Sequence, residues 1–283
     1  MGSLNMEKFG NLFFERHESP TTKVNCRPIV LLPGGPSIAG TYLNHLADQL
    51  SLKYCGLVFR LVLPNHEIDS DKPSNLKFED VYALVSNSID AIQLKYRQKP
   101  TLIGHSFGAL LTATLLERRP ELAAEAILMN SPMALTGWAR FSAKMKETGV
   151  PSSANIHDEE SFRSWWQKVL PLYFAKAPDL AELSLLSNIT YFAKSAQQED
   201  AAPVFENIFK ALAARKSRNI RIILGDLDII GPDNSNESIQ TLFGELVYIM
   251  PNVGHFPMLE NELETLKQID YLIGNSVNQR EIL

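Results

Sequence analysis

Gly104-His105-Ser106-Phe107-Gly108 lies between a short apolar run, Thr101-Leu102-Ile103, and a helix-like run from Leu110 to Arg119. On a sharp turn from a buried strand into a helix, G-x-S-x-G holds its serine in a strained conformation with the hydroxyl at the tip. The flanking glycines let strand and helix approach closely. Serine alone is a poor nucleophile. It needs an adjacent base, and the base needs a third group to orient it.

Six histidines compete for the role of base. His105 lies within the turn and is expected to point away from Ser106, while His17, His45, His66 and His157 stand in stretches with no other catalytic mark. His255 is different: Pro251-Asn252-Val253-Gly254-His255-Phe256-Pro257 follows the last strand-like run and precedes the last helix. In the chain order serine, acid, histidine, the base belongs there. The acid is expected after the run Ile220 to Leu224, where Asp226 and Asp228 stand in the loop and Asp233 just beyond. Asp228 is the reading for the carboxylate that orients His255, with Asp226 capping the loop. The other conceivable position, after Met129, offers only Asn130 and Ser131, neither of which carries negative charge. A carbonyl attacked by Ser106 becomes an oxyanion that requires fixed N–H donors. The residue after the nucleophile, Phe107, supplies one, and the Gly34-Gly35 loop after an early strand supplies another.

These residues need elements that bring them together. Short β-branched runs alternate with longer amphipathic ones, the pattern of a mostly parallel α/β sheet. Strands are expected at Ile29 to Leu32, Leu57 to Leu63, Leu102-Ile103, Ala126 to Met129, Ile220 to Leu224 and Leu246 to Met250. Helices are expected from Ile38 to Leu52, through Phe78, Val81, Val85, Ile89 and Ile92 to Tyr96, and from about Leu259 to Leu272. Between Asn130 and Arg218 the alternation stops, and a structureless loop of that length does not belong in a compact domain. An inserted helical cap is expected there, marked by Trp138, Trp165, Trp166, Phe174, Tyr191, Phe192, Phe205 and Phe209. Such aromatics usually form a cap's own core, although some must face the sheet.

The 283 residues allow one large domain with an insertion, and 45% hydrophobic residues suffice for a core. A net charge of −5 without a dense Lys/Arg run argues against nucleic-acid partners and stable membrane association, leaving a small-molecule substrate. Two cysteines, Cys26 and Cys55, make neither a disulfide framework nor a metal site. Without an apolar leader in Met1 to Phe9, a cytoplasmic location is expected. Nothing in the sequence calls for a cofactor or a metal, and oligomeric state is left open.

Gly104-His105-Ser106-Phe107-Gly108, Gly225-Asp226-Leu227-Asp228 and Gly254-His255-Phe256 stand in the order and at the intervals that resemble an α/β-hydrolase-fold serine hydrolase over nearly the whole chain. The resemblance implies a mostly parallel central sheet flanked by helices, with a core of residues 1–133 and 216–283 and a helical cap of residues 134–215. Pro33-Gly34-Gly35-Pro36 and Asn188-Ile189-Thr190-Tyr191-Phe192 are similar to the proline iminopeptidase branch, whose members carry H-G-G-P-G and E-N-H-Y-F. That likeness implies an oxyanion donor at Gly35 and substrate contacts at Asn188 and Phe192, beside Trp165 and Trp166. Three residues depart from it: Pro33 replaces a histidine, Ser37 a glycine, and Asn188 the carboxylate that anchors a free amino terminus. Losing that counter-charge costs several kcal/mol of recognition. Glu199, Asp200 and Glu206 are alternative anchors, though a solvated helix face explains them too, and Asp158-Glu159-Glu160 reads as a helix N-terminus. The expected activity is therefore hydrolysis of a carboxylic ester or thioester with an apolar acyl or alcohol part. Aminopeptidase action on short peptides is the alternative, and a low-turnover ligand receptor of the same fold the second.

Overall fold

The computed structural model describes residues 5–20, 26–35, 38–54, 56–63, 77–132, 135–151, 156–189, 202–215, 219–231 and 238–278. Strands β1 (Met6–Phe9), β2 (Leu12–Glu18), β3 (Ile29–Leu32), β4 (Leu57–Val62), β5 (Thr101–His105), β6 (Glu125–Met129), β7 (Ile220–Gly225) and β8 (Val247–Met250) form one sheet. Their spatial order is β1-β2-β4-β3-β5-β6-β7-β8. From β4 to β8 all neighbours are parallel, while β2 pairs antiparallel with both β1 and β4. Chain order reverses between β3 and β5, so the carboxyl ends of these strands form the switch point where open α/β sheets bind ligands.

The parallel strands are covered on both faces, and β3, β5 and β6 are buried at every position. That accounts for their continuous apolar runs. The β1–β2 hairpin lies ahead of the first strand expected from the sequence. Leu12 and Phe14 are buried, but Phe13 is exposed and Glu15, Arg16 and Glu18 interrupt the apolar signal. Glu15 is opposite Arg60 in the β2–β4 register, and its carboxylate pairs with that fully buried guanidinium. A charge so far from water requires such a partner.

One face of the sheet packs helices α2 (Phe78–Tyr96), α3 (Phe107–Arg118), α7 (Ala202–Ala214) and α8 (Ser238–Phe243). In α2, Val81, Val85, Ile89 and Ile92 recur along a single buried stripe. The opposite face packs α1 (Asn44–Tyr54) and α10 (Glu262–Asn278), joined there by aromatic residues of the insertion. A one-turn 3-10 helix, Gly40–Leu43, leads into α1, and a short α9 (Pro257–Glu260) precedes α10. The helical insertion comprises α4 (Leu135–Glu147), α5 (Glu159–Val169), α6 (Leu180–Leu185) and α7. Phe141, Phe162, Trp166, Tyr173 and Phe174 pack together with residues of α1 and the sheet. Helix α7 instead places Ile208, Phe209 and Leu212 against α3 and the sheet's other face. No helix among the described residues is long and apolar enough to cross a membrane.

Strand β5 reaches α3 through the tightest packing in this part of the molecule. A Cβ on Gly104 would collide with the Gly108 carbonyl, and a Cβ on Gly108 with that of Leu32. Both obstacles are backbone, which cannot swing aside. Gly108→Ala is therefore expected to destabilise the fold by roughly 3 kcal/mol, the upper end of overpacking costs. Urea unfolding midpoints compared with wild type check this.

Candidate active site

Ser106 connects β5 to α3 with φ 52° and ψ −115°, a conformation that costs a non-glycine residue about 1–3 kcal/mol. Its neighbours enforce it. The Ser106 N–H donates to the Met129 carbonyl at 2.9 Å, and the Ser106 carbonyl accepts from the Ala109 and Leu110 N–H groups of α3. Phe107 opens the helix, so its N–H has no carbonyl one turn back to bond. Gly35, with φ 148°, follows β3 next to this turn, and no group among the described residues takes its N–H.

The loops that carry Asp228 and His255 extend from β7 and β8. Asp228 Oδ2 accepts from His255 Nδ1 at 2.9 Å, and Asp228 Oδ1 accepts from the Ile230 N–H at 3.1 Å. Both side chains are buried. Because a carboxylate only accepts, Nδ1 carries the hydrogen, and in the neutral imidazole that tautomer leaves Nε2 bare. Among the described residues no hydrogen bond joins His255 Nε2 or Ser106 Oγ to another group. Asp226 accepts from the Val253 N–H at 3.2 Å, the loop-capping role expected of it. Arg140 of α4 steadies the acid loop by donating to the Gly231 carbonyl at 2.6 Å.

The histidine loop is held at every peptide group from Val253 to Phe256. The Gly254 carbonyl accepts from Asn130 Nδ2 at 2.6 Å, and Asn130 Oδ1 accepts from the Gly225 N–H at 3.1 Å. Asn130, at φ 43°, thus bridges the ends of β6, β7 and the loop after β8. The His255 N–H donates to the Tyr173 carbonyl at 2.6 Å, and the His255 carbonyl meets His105 Nε2 at 2.7 Å. Glu260 Oε2 accepts from the Ala175 N–H at 2.8 Å and the Gly254 N–H at 2.9 Å, while its Oε1 accepts from the Phe256 N–H at 3.1 Å. Burial raises the Glu260 carboxyl above its ordinary range, partly offset by these three donors. The Tyr173 ring packs against the imidazole with centroids 5.3 Å apart. Burial, reinforced by the Asp228 charge, pushes its phenol far above the ordinary value.

The expected substrate contacts fall in different places. Trp166 is buried among Phe162 and Tyr173 and spends its indole N–H on the Leu186 carbonyl at 2.9 Å. Trp165 is half-buried and donates to the Pro151 carbonyl at 3.0 Å. The Asn188 side chain is exposed, while its carbonyl accepts from the Ala39 N–H at 2.9 Å beside an Ile38–Ile189 bridge. Phe192 lies outside the described residues, as do Tyr191, Glu199 and Asp200. Glu206 pairs with Lys210 one turn on, and Asp158 caps α5 by accepting from the Ser161 N–H at 2.8 Å. Among the described residues no group of three or more His, Cys, Asp or Glu side chains is arranged to hold a metal. Tyr42, Tyr173 and Glu260 are contacts that the sequence does not flag. They carry no motif, and only the packed structure brings them to the histidine loop.

The profile of the Alpha/beta hydrolase family matches residues 29–268, a span that includes all three loops. The chain belongs to this family. Solved α/β hydrolases superpose over nearly its whole length. The proline iminopeptidase of Mycobacterium smegmatis has a TM-score of 0.65 at 14% identity, covering 97% of this chain and 99% of its own. A putative lipase from Acinetobacter baumannii AYE has 0.62 at 19%, covering 96% and 91%. A membrane phospholipase A described as a bacterial virulence factor has 0.64 at 21%, covering 96% and 86%. At these identities the likeness is one of fold. No curated protein matches the sequence.

Glu260→Gln tests how the α/β-hydrolase loop is held. An amide retains one acceptor and sets its NH2 against a backbone donor. The variant is expected to lose about 1–3 kcal/mol of stability, the cost of buried donors left unsatisfied. Thermal unfolding of the two proteins reads this directly.

Proposed function

We propose that this α/β hydrolase cleaves a carboxylic ester or thioester with an apolar acyl or alcohol part, using Ser106 as nucleophile, His255 as base and then acid, and Asp228 as the orienting carboxylate. The observation that carries this reading is the buried 2.9 Å Asp228–His255 pair, on loops after β7 and β8 at the same carboxyl end of the sheet where Ser106, after β5, is held at positive φ.

Substrate entry brings Ser106 Oγ to His255 Nε2, a contact that commonly tightens only in the complex. Oγ attacks the carbonyl carbon while Nε2 takes its proton. The negative oxygen is held by the Phe107 and Gly35 N–H groups. Collapse of this intermediate breaks the bond to the alcohol or thiol, which leaves with the proton from Nε2. Water then gives a proton to Nε2 and attacks the acyl-enzyme, and the acid departs as Ser106 recovers its hydrogen. Asp228 keeps Nε2 the bare nitrogen and stabilises the imidazolium formed in each half-reaction.

The ester reading is favoured over aminopeptidase action by the residue at 188. An aminopeptidase holds a substrate ammonium against a carboxylate, and here an exposed, uncharged Asn188 stands at that point of the sequence motif. The rings packed against His255, those of Tyr173, His105 and Phe256, bring no carboxylate to it.

A fluorophosphonate probe should label wild type at Ser106 with loss of fluoride, and p-nitrophenyl esters should be cleaved much faster than prolyl-naphthylamide. Ser106→Ala should lose the label and about 10⁴-fold or more of kcat without unfolding. Preference for prolyl-naphthylamide, with its N-acetyl form inert, would transfer the assignment to the peptidase reading. Asp228→Asn is expected to lower kcat about 10³- to 10⁴-fold and Asp226→Asn less than about 10-fold. Steady-state kinetics on one ester ranks the two.

A further inference from the structure

Tyr42 and His105 are both 1% exposed, and neither has a role in the proposed reaction. The Gly34 N–H meets Tyr42 Oη at 2.6 Å, Tyr42 Oη meets His105 Nδ1 at 2.6 Å, and His105 Nε2 meets the His255 carbonyl oxygen at 2.7 Å. The two ends fix the outer links, and a neutral imidazole then fixes the middle one. A backbone N–H can only donate and a carbonyl can only accept. Tyr42 Oη therefore accepts from Gly34 and gives its own hydrogen to Nδ1, and His105 carries its single hydrogen on Nε2.

Only a neutral imidazole in that tautomer completes the chain. A second proton, on Nδ1, would face the Tyr42 oxygen and displace the phenolic hydrogen from its acceptor. The surroundings oppose that proton: burial first, and His255 second, hold His105 well below the usual histidine range. The titratable groups packed on this ring are Tyr42 and His255, with Arg60 beyond Tyr42.

The chain also decides which glycine is available to a substrate. Gly34 spends its N–H on Tyr42, and the space a Cβ would occupy there is bounded by His105 Nδ1, Tyr42 Oη and Ser106 Cβ at 3.0, 3.0 and 3.1 Å. The loop is thereby pressed onto the turn that carries Ser106, with Gly35 next in line.

We propose that Tyr42 and His105 are positioning residues: they fix the spacing between the Gly34–Gly35 oxyanion loop and the His255 loop through a one-directional hydrogen-bond chain. This rests on the serine hydrolase reading. It adds that the two halves of the site, on loops after β3 and β8, are set as one unit through the residue preceding the nucleophile.

The test compares three variants on the best p-nitrophenyl ester, with histidine nitrogen NMR of wild type and Tyr42→Phe. Tyr42→Phe and His105→Leu break the chain and should lower kcat about 10-fold or more, less than the 10²–10³ for outright loss of an oxyanion donor. KM should stay within about two-fold, as for an interaction made in the transition state. His105→Gln keeps one acceptor and one donor and should recover most of the loss. In wild type, His105 should keep Nδ1 bare and Nε2 protonated from about pH 8 to about pH 5, across the usual histidine range. The Gly34 amide should lose exchange protection in Tyr42→Phe. If His105→Leu does not fold, Tyr42→Phe and the tautomer decide. An Nδ1–H tautomer, or an active wild type whose kcat survives Tyr42→Phe, overturns the positioning role alone. A wild type that neither takes the fluorophosphonate nor cleaves any ester overturns the hydrolase reading, and the oxyanion role of the chain with it.

Discussion

A histidine can take a proton from one fixed point only if the peptides on either side of it cannot turn. From Val253 to Phe256 this chain leaves no backbone N–H or carbonyl without a partner. The partners come from every neighbouring element: Asp226 and Leu227 after β7, Asn130 after β6, His105 at the end of β5, Tyr173 in the insertion, and Glu260 at the end of α9. A buried polar group left unmatched costs about 1–3 kcal/mol. Displacing the loop would expose several at once, so the surrounding structure is committed to one orientation of His255. Asp228 then selects the tautomer within an imidazole already aimed.

Two carboxyl groups of this neighbourhood, those of Asp228 and Glu260, are treated differently. Asp228 is solvated by one backbone N–H and the imidazole, whereas Glu260 gathers three backbone donors from separate segments. Glu260 behaves as a substitute for water beneath the loop, satisfying N–H groups that a closing turn cannot satisfy itself. On the far side of the sheet's switch point, the Arg60–Glu15 pair ties the hairpin to β4.

Much of this was legible in the sequence because it depends on local pattern. Buried parallel strands are mostly apolar, so β3, β6 and β7 stand out as short aliphatic runs despite Glu125 and Arg221. Ser106 and His255 are marked by the turns they require, and Asp228 by its distance past a strand. The antiparallel hairpin was not legible, since an edge strand with one wet face mixes Glu15, Arg16 and Glu18 among its aromatics. Helix α7 reads like the rest of the insertion, yet Ile208, Phe209 and Leu212 face α3, a choice made by tertiary contact rather than periodicity. In the sequence Asn130 stands out only as lacking a charge. Its amide is useful for another reason, offering a donor to one strand end and an acceptor to another, which a carboxylate cannot do.

The insertion touches the histidine loop and the segment after Gly35 through its main chain. The Tyr173 carbonyl, the Ala175 N–H and the Asn188 carbonyl make those hydrogen bonds, alongside the Ile38–Ile189 bridge. These main-chain bonds are indifferent to which side chains the segment bears, whereas the Tyr173 and Phe174 rings, packed on His255 and Phe256, are side-chain contacts that must be kept. Residues facing an incoming molecule can then be exchanged without loosening the floor on which the reaction would run, so binding preference and chemical competence can diverge independently in descendants of this gene. For protein engineering the same separation marks the exposed Asn188 side chain as a position that can be changed while the bond from its carbonyl to the Ala39 N–H is left untouched.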